Sequence, residues 1–374
     1  MDITLATPLL AGLAPRAFML RHWQKKPLLI RQAWPGVSPP VGRADLFKLA
    51  ARDGVESRLI ERHGAAWTLH HGPFSRRQLP PLTQSAWTLL VQGADLHVDA
   101  AHEMLSHFRF VPQARLDDLM ISYATDGGGV GPHFDSYDVF LLQVHGKRRW
   151  RIGRMSDATL CPDVPLKILA NFKPEADWLL EPGDMLYLPP RWAHDGVAEG
   201  ECMTCSIGFR SPSQHEVGRE VLQRLIDAGV EDAKPAMYRD PSQPATAASG
   251  RVPASMQAFA AAAVAGTLGE PGAVARALGE WLSEPKPQVW FDDGMALPTG
   301  AGVSLDRRTR MLYDERHVFI NGESYRAAGR DAKLMRQLAD AGRLRAREVA
   351  RLSADALALL DAWAQAGWLH AADA

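Results

Sequence analysis

The sequence has little cysteine, no long run of strongly apolar residues and no excess of charge of either sign. Its three cysteines are too few for a disulfide framework. The longest uncharged stretch, residues 252–269, is mostly alanine interrupted by proline, glycine and polar side chains. A transmembrane helix needs about 20 strongly apolar residues, so this stretch predicts an alanine-rich helix of a globular protein. The N-terminus lacks a basic segment followed by an apolar core, so we expect no secretory signal and a cytoplasmic location.

The charge balance gives no whole-chain signal for binding to nucleic acid or to a membrane surface. Lys and Arg number 42 and Asp and Glu number 43, for a formal net charge of -1. Hydrophobic residues make up 46% and charged residues 23%, which excludes a wholly disordered chain. With 374 residues, the chain is long enough for two or three domains.

Residues 1–210 contain many short apolar runs, most of them bounded by Gly, Pro or Asp. This pattern is typical of an all-β sandwich or barrel. The run Val139–Val144 is almost entirely apolar and is therefore expected to be buried on both faces of a sheet. The other predicted strands are 28–30, 67–69, 87–91, 119–123 and 185–188.

Residues 211–285 instead show the spacing of helices. Ser213 and Glu216 predict a capping box at a helix start, and apolar residues follow at helical intervals. A linker rich in Pro, Ser and Ala covers 240–255, a second helix covers 254–268, and a third opens at Pro271. So short a set of helices could not bury its apolar stripes alone, so we expect a homodimer.

Residues 286–374 predict a small domain of strands and helices. Asn321-Gly322 between two apolar-aromatic runs is a strong hairpin signal. Helices are expected at 331–341 and, with Ser353 as the N-cap, at 354–366. This succession suggests a winged-helix-like domain. From Ala301 onward, twelve Lys or Arg stand against ten Asp or Glu, which argues against direct DNA binding.

Two histidines and one carboxylate form a candidate metal-binding site. His133 and Asp135 are two residues apart in a predicted strand, so their side chains are expected on the same face. His194 follows a Glu-Pro-Gly-Asp turn, a short strand and two prolines. Two histidines and a carboxylate on a β scaffold form the facial triad of non-haem Fe(II) oxygenases, which leaves open coordination positions.

A basic strand follows the first two candidate ligands. By alternation, Arg148 and Trp150 share one face of this strand, while Lys147, Arg149 and Arg151 share the other. An arginine beside a metal site suits the binding of a dicarboxylate, because its planar guanidinium meets a carboxylate through two parallel hydrogen bonds.

Three segments resemble the bacterial JmjC (cupin-like) ribosomal oxygenases: residues 117–150, residues 181–194 and residues 22–28. Residues that match the family are frequent in 115–210 and few after about residue 215. The resemblance extends over the whole chain, since that family adds a helical dimerisation region and a C-terminal winged-helix domain. It implies an α+β protein with a double-stranded β-helix (jelly-roll) JmjC domain at 1–210, a helical dimerisation region at 211–285 and a winged-helix-like domain at 286–374.

The resemblance implies a dioxygenase that uses Fe(II), 2-oxoglutarate and dioxygen to hydroxylate an arginine side chain. The substrate would be ribosomal protein sixteen of the large subunit. Fe(II) would lie at His133, Asp135 and His194. The implied cosubstrate residues are Arg148, Ser122 and Thr204, the last being a departure, because some relatives have Asn there.

The implied residues of the substrate pocket are Asp118, Met120, Tyr137 and Ser206. Asp118 could pair with the guanidinium of a substrate arginine, Tyr137 could stack on it and Met120 could cover its aliphatic stem. Strand alternation places Asp118 and Met120 on one face, and Tyr137 on the face of His133 and Asp135.

Other functions stay open at this point. The oxygenase could act on another residue, such as a histidine of a ribosomal protein, or on a small molecule. A protein of a different class, a metal-dependent sensor or transcription regulator, would keep the β barrel without catalysis. Cys202-Met203-Thr204-Cys205 has no second cysteine pair, so we expect buried structural cysteines and not a zinc or redox site.

Overall fold

The computed structural model describes residues 2–232, 237–246, 249–269, 271–326 and 328–372. Its contacts divide the chain into two compact units, one ending at Ser211 and one beginning at Pro212.

Among its described residues, the first unit contains three α-helices and ten strands. The helices are α1 (Pro15–Arg21), α2 (Arg43–Ala50) and α3 (Asp99–Ser106). The strands are β1 (Leu28–Ile30), β2 (Ser57–His63), β3 (Ala66–His71), β4 (Trp87–Val91), β5 (Leu116–Ala124), β6 (His133–Phe134), β7 (Val139–Arg154), β8 (Ala176–Leu180), β9 (Met185–Leu188) and β10 (Trp192–Phe209). Every predicted strand of this region is present.

Two long strands, β7 and β10, build the sandwich. All pairs are antiparallel, in the order β1-β9-β7-β10-β5-β4-β2-β3, and β6 and β8 pair with β10 and β7. The first half of β7 pairs with β9 and with the end of β10, whereas its second half pairs with β8 and the start of β10. The register shifts between Glu199 and Met203, opposite Gly146, whose φ of 60° favours glycine.

The two halves of β7 and β10 enclose an apolar cluster. Leu141 from the first half and Trp150 and Ile152 from the second half pack in it together with Leu180 and Leu186. The other face of the first half of β7 contributes Phe140 to a larger cluster, which also includes Phe18 and Trp87. Val139–Val144 is buried on both faces, as predicted. The predicted double-stranded β-helix is confirmed.

The second unit begins with helices. They are α4 (Gln214–Asp232), α5 (Ala254–Leu268) and α6 (Ala273–Ser283). The predicted capping box is present, since Ser213 Oγ accepts the N–H of Glu216 at 3.1 Å and the Glu216 carboxylate accepts the N–H of Ser213 at 3.4 Å. The predicted bounds of α5 are confirmed.

The buried face of helix α6 consists mainly of small residues, with Leu278 partly buried beside them. Val274 is 50% exposed, whereas Ala277 and Gly279 are buried. The ring of Phe319 occupies the space that a side chain at Gly279 would need, at 2.3 Å from an ideal Cβ. Close packing against an aromatic ring therefore selects small residues over the large apolar ones.

The remaining elements form the C-terminal part of this unit. They are β11 (Gly302–Leu305), β12 (Met311–Tyr313), β13 (His317–Ile320), β14 (Glu323–Arg326), α7 (Gly329–Ala341), β15 (Arg343–Leu344), α8 (Ala346–Val349), α9 (Ala354–Gln365) and β16 (Leu369–Ala372). Asn321 and Gly322 join β13 to β14 with φ of 49° and 93°, as a type I′ turn requires. Ser353 Oγ caps α9 by accepting the N–H of Ala356.

Among the described residues, no single helix is both long and apolar enough to cross a bilayer. Helices α5 and α6, bent by 63° at their junction, meet the limits of length and composition only when they are taken together.

Candidate metal centre

His133 and His194 are brought together by strand pairing. Strand β6 pairs with the beginning of β10, and His194 lies directly opposite His133. Asp135 follows β6, and its carboxylate lies 3.7 Å from His194 Nε2. One ligand atom from each of the three residues lies within 4.8 Å of the other two. The structure thus assembles the three residues that the sequence predicted as ligands.

The local structure of Asp135 differs from the expectation. Strand β6 ends at Phe134, so Asp135 is the first residue after it, and its side chain converges with that of His133 as predicted. The carbonyl oxygen of Asp135 accepts the N–H of Arg191 at 2.8 Å, which ties the turn after β6 to the start of β10. The carboxylate is therefore positioned by a loop anchored across the sheet.

Both imidazoles are held in the orientation that a metal ligand needs. His133 Nδ1 lies 2.9 Å from the carbonyl oxygen of Gly131, and His194 Nδ1 lies 3.0 Å from that of Trp192. Donation from Nδ1–H leaves each Nε2 free as a ligand. Burial, followed by the neighbouring His133, lowers the pKa of His194 to about 4, so that its ring is neutral near pH 7. Two imidazoles and one carboxylate suit a divalent first-row transition metal.

Arg148 is a buried guanidinium without a carboxylate partner among the described residues. It lies on β7 and is 3% exposed. Nη1 donates to Ser122 Oγ at 3.0 Å and Nη2 to the carbonyl oxygen of Gly196 at 3.2 Å, while Nε has no partner in the described part of the chain. Burial lowers the pKa of this guanidinium, but arginine stays charged in proteins. An unneutralised buried cation is costly, which points to an anionic ligand here.

Ser122 and Thr204 face each other in register on β5 and β10. The Thr204 hydroxyl donates to Gln143 Oε1 at 2.8 Å, and Gln143 Nε2 donates to the carbonyl oxygen of His145 at 2.8 Å. Gln143 is fully buried and is a further residue of this site that the sequence did not predict. Its signal was a single amide in an otherwise apolar strand.

Trp150, which strand alternation predicts on the face of Arg148, lies beside His194. It is 5% exposed, and its ring centroid lies 5.8 Å from that of His194. The Arg148 guanidinium lies 5.2 Å from the same ring. Trp150 therefore lies between the triad and the buried cation.

Three of the predicted substrate residues lie on β5 and β10, beyond Ser122 and Thr204. They are Asp118 and Met120 on β5 and Ser206 on β10. Met120 on β5 is directly opposite Ser206 on β10. Asp118 is buried, and its Oδ2 accepts the N–H of Gly93 at 2.9 Å. One oxygen of the Asp118 carboxylate thus holds a backbone loop.

Tyr137 lies in the loop between β6 and β7, so the expected strand alternation does not apply to it. The residue as a whole is 38% exposed. Burial of its hydroxyl, and then the carboxylates of Asp135 and Asp118, raise the pKa of Tyr137. The loop therefore brings the phenol close to both carboxylates.

Cys202 and Cys205 are both buried on β10, and burial raises the pKa of both thiols. Thiols of this kind are unreactive, which agrees with the expected structural role.

Two family models match the chain. A JmjC domain matches residues 103–217, and a ROXA-like winged helix matches residues 266–370. The first match contains the triad and Arg148, and the second contains the β13–β14 hairpin and α7 to α9. The predicted succession of a JmjC domain and a C-terminal winged helix is confirmed.

The chain is similar in sequence to two bacterial proteins and in structure to a solved ribosomal oxygenase. The chain is 38% identical over 232 residues to the ribosomal protein uL16 3-hydroxylase of Escherichia coli, and 37% identical over 219 residues to a probable ribosomal oxygenase of Haemophilus influenzae. These matches cover 61% and 58% of this chain but only 60% and 52% of the two relatives. A structure of YcfD, a ribosomal oxygenase from Escherichia coli, in complex with cobalt and 2-oxoglutarate has a TM-score of 0.81 at 28% identity. That similarity covers 96% of this chain and 99% of the other.

Proposed function

This chain belongs to the JmjC ribosomal oxygenases, and from that premise we propose that it hydroxylates an arginine side chain of ribosomal protein uL16. The observation that carries the proposal is the pairing of a His-Asp-His triad with a buried, unneutralised arginine. A sensor that only binds metal has no need for a buried cation beside its ligands.

We propose that Fe(II) binds to His133, Asp135 and His194, with 2-oxoglutarate and dioxygen as the other reactants. The metal and its cosubstrate, when bound, supply the oxidising power that hydroxylates a C–H bond. Arg148 binds the distal carboxylate, and Ser122 holds the guanidinium in place. Thr204 acts through Gln143, which it contacts at 2.8 Å, in supporting this wall of the site.

We propose that the substrate side chain lies against Asp118, Met120, Tyr137 and Ser206. The Asp118 carboxylate accepts hydrogen bonds from the substrate guanidinium. The Tyr137 ring covers that guanidinium, and Met120 covers the aliphatic stem. Holding one C–H bond in a fixed place is the task of these residues, because the oxidant is not itself selective.

We also propose that the three segments predicted from the sequence have separate roles. Residues 1–210 carry the chemistry, residues 211–285 pair with a second copy, and residues 286–374 form the winged helix. Helix α5 buries no residue in this chain, and Leu222 and Ile226 of α4 are about half exposed, which supports pairing. A ribosomal protein as partner places the enzyme in the cytoplasm, where ribosomes are assembled.

The test is a peptide from the arginine-bearing loop of uL16, incubated with the protein, iron and 2-oxoglutarate. Mass spectrometry should find the gain of one oxygen atom at the arginine. Gain of oxygen only on a histidine-bearing ribosomal peptide would replace arginine by histidine as the target. Binding of metal without oxidation of any ribosomal protein in a cell extract would favour the sensor.

A further inference from the structure

Trp150 and Gly196 face each other across β7 and β10, between the triad and Arg148. The register pairs Ile152 with His194 and then Trp150 with Gly196. The indole centroid lies 5.8 Å from the His194 ring and 5.2 Å from the Arg148 guanidinium carbon. Any molecule that bridges the triad and Arg148 must therefore pass along this pair.

The space at Gly196 is filled by its neighbours. An ideal Cβ there would lie 2.6 Å from Cη2 and Cζ3 of Trp150 and 2.9 Å from Nε of Arg148. The φ of Gly196 lies outside the left-handed region, so the backbone conformation does not require glycine. Glycine is needed because the indole and the guanidinium press directly against the strand.

The indole N–H of Trp150 is buried and has no acceptor in the described part of the chain. A buried donor without an acceptor costs stability. The residue is thus not explained by a hydrogen bond to the protein. What the indole does supply is bulk, together with an aromatic face for the guanidinium.

We propose that Trp150 and Gly196 determine which 2-oxo acid the protein accepts. They would do so by setting the length of the space between the triad and Arg148, which we call the compartment. This inference rests on the proposed function. A side chain at position 196 would push the indole and the guanidinium into the compartment and shorten it. A smaller ring at position 150 would lengthen it.

The experiment is calorimetric titration of the full-length, manganese-loaded protein with three acids. They are 2-oxoglutarate, oxaloacetate, which is one methylene shorter, and 2-oxoadipate, which is one methylene longer. For Gly196→Ala we expect the preference for 2-oxoglutarate over oxaloacetate to fall about tenfold or more, the usual effect of one methylene in a fitted pocket. For Trp150→Phe we expect the affinity for 2-oxoadipate to rise about tenfold relative to that for 2-oxoglutarate.

The matched control is Gly208→Ala on the same strand, where an ideal Cβ would meet only Asp118, at 3.5 Å from its Oδ1 and 4.0 Å from its carbonyl oxygen. It should leave the affinity for all three acids unchanged, and manganese should bind equally to every variant. The inference is overturned if Gly196→Ala and Trp150→Phe leave the relative affinities of the three acids as in the wild type. If Gly196→Ala binds no acid, Trp150→Phe alone decides in the same way. A wild-type protein that fails to bind 2-oxoglutarate overturns the proposed function itself, and this inference with it.

Discussion

His133 and His194 occupy directly opposed positions on β6 and β10, with ring centroids 4.2 Å apart. Each ring is oriented by the carbonyl oxygen two residues before it, so the same local device is used twice. Strand pairing sets the distance between the rings, and the carbonyl contacts leave each Nε2 free for a metal.

Replacement of His133 or His194 by alanine should abolish metal binding and 2-oxoglutarate turnover. Each substitution removes one of the three proposed ligands, whereas the sandwich keeps its core. The measurement is manganese affinity by calorimetry together with circular dichroism. His71→Ala, at an exposed position of β3, is the control and should behave as the wild type. Wild-type consumption of 2-oxoglutarate by His133→Ala would contradict the assignment of the ligands.

Arg148→Ala should raise the KM for 2-oxoglutarate by about thirtyfold or more, because loss of one partner of a buried charge pair costs about 2–5 kcal/mol. The KM for the peptide should change little. Steady-state kinetics with either reactant varied measures both constants. Arg149→Ala is the control, since Arg149 lies on the other face of β7 and pairs with Glu199 and Asp177 at the surface. An unchanged KM for 2-oxoglutarate in Arg148→Ala would move the role to another cation.

Asp118→Asn should lower kcat/KM for the arginine peptide by about tenfold to a hundredfold, the usual effect of losing a hydrogen bond to a charged group. The amide oxygen of asparagine can still accept the N–H of Gly93, so the loop should keep its place. Peptide mass spectrometry gives the rate, and 2-oxoglutarate affinity should stay as in the wild type. Asp117→Asn on the opposite face of β5 is the control. Equal loss in both variants would argue against a substrate contact.

Asp306→Asn should destabilise the second unit by about 2 kcal/mol near pH 7, the equivalent of the pKa shift of Asp306. Burial alone would raise this pKa, but hydrogen bonds from Arg308 and His370 outweigh it and lower the pKa to about 2. A depressed carboxylate pKa stabilises the fold above the ordinary value of 3.8 and loses that contribution as pH falls towards 2. Hydrogen exchange of this unit at pH 7 and below pH 3.8 should show the difference between wild type and variant shrinking with acid. A difference independent of pH would contradict the linkage.

The wild-type protein should scatter light as a particle of about twice 41.0 kDa at micromolar concentration. Leu222→Arg should shift it to the monomer, because Leu222 is 49% exposed in the single chain and its burial would be lost. Gln223→Arg, the neighbouring exposed position of α4, is the control. If the wild-type protein scatters light as a monomer, the proposed dimer is wrong.

Local sequence signals were sufficient for most elements and for the candidate metal ligands. Asn321-Gly322 selects a type I′ turn by its own backbone preference, and Ser213 and Glu216 cap a helix within one turn. The triad residues were found because imidazole and carboxylate are the side chains that such chemistry requires. The turn and the capping box depend on no distant part of the chain.

Cross-strand register decided which side chains meet in the site. That Trp150 meets Gly196, and that Gln143 meets Thr204, depends on the pairing of β7 with β10 on either side of a bulge. Tyr137 approaches two carboxylates through a loop, so alternation along a strand could not place it. The amino-acid sequence by itself determined which residues could do chemistry and which segments form strands and helices. Only the tertiary structure decided which side chains share a buried space, because contacts between residues far apart in the chain follow from packing and register and not from local preference.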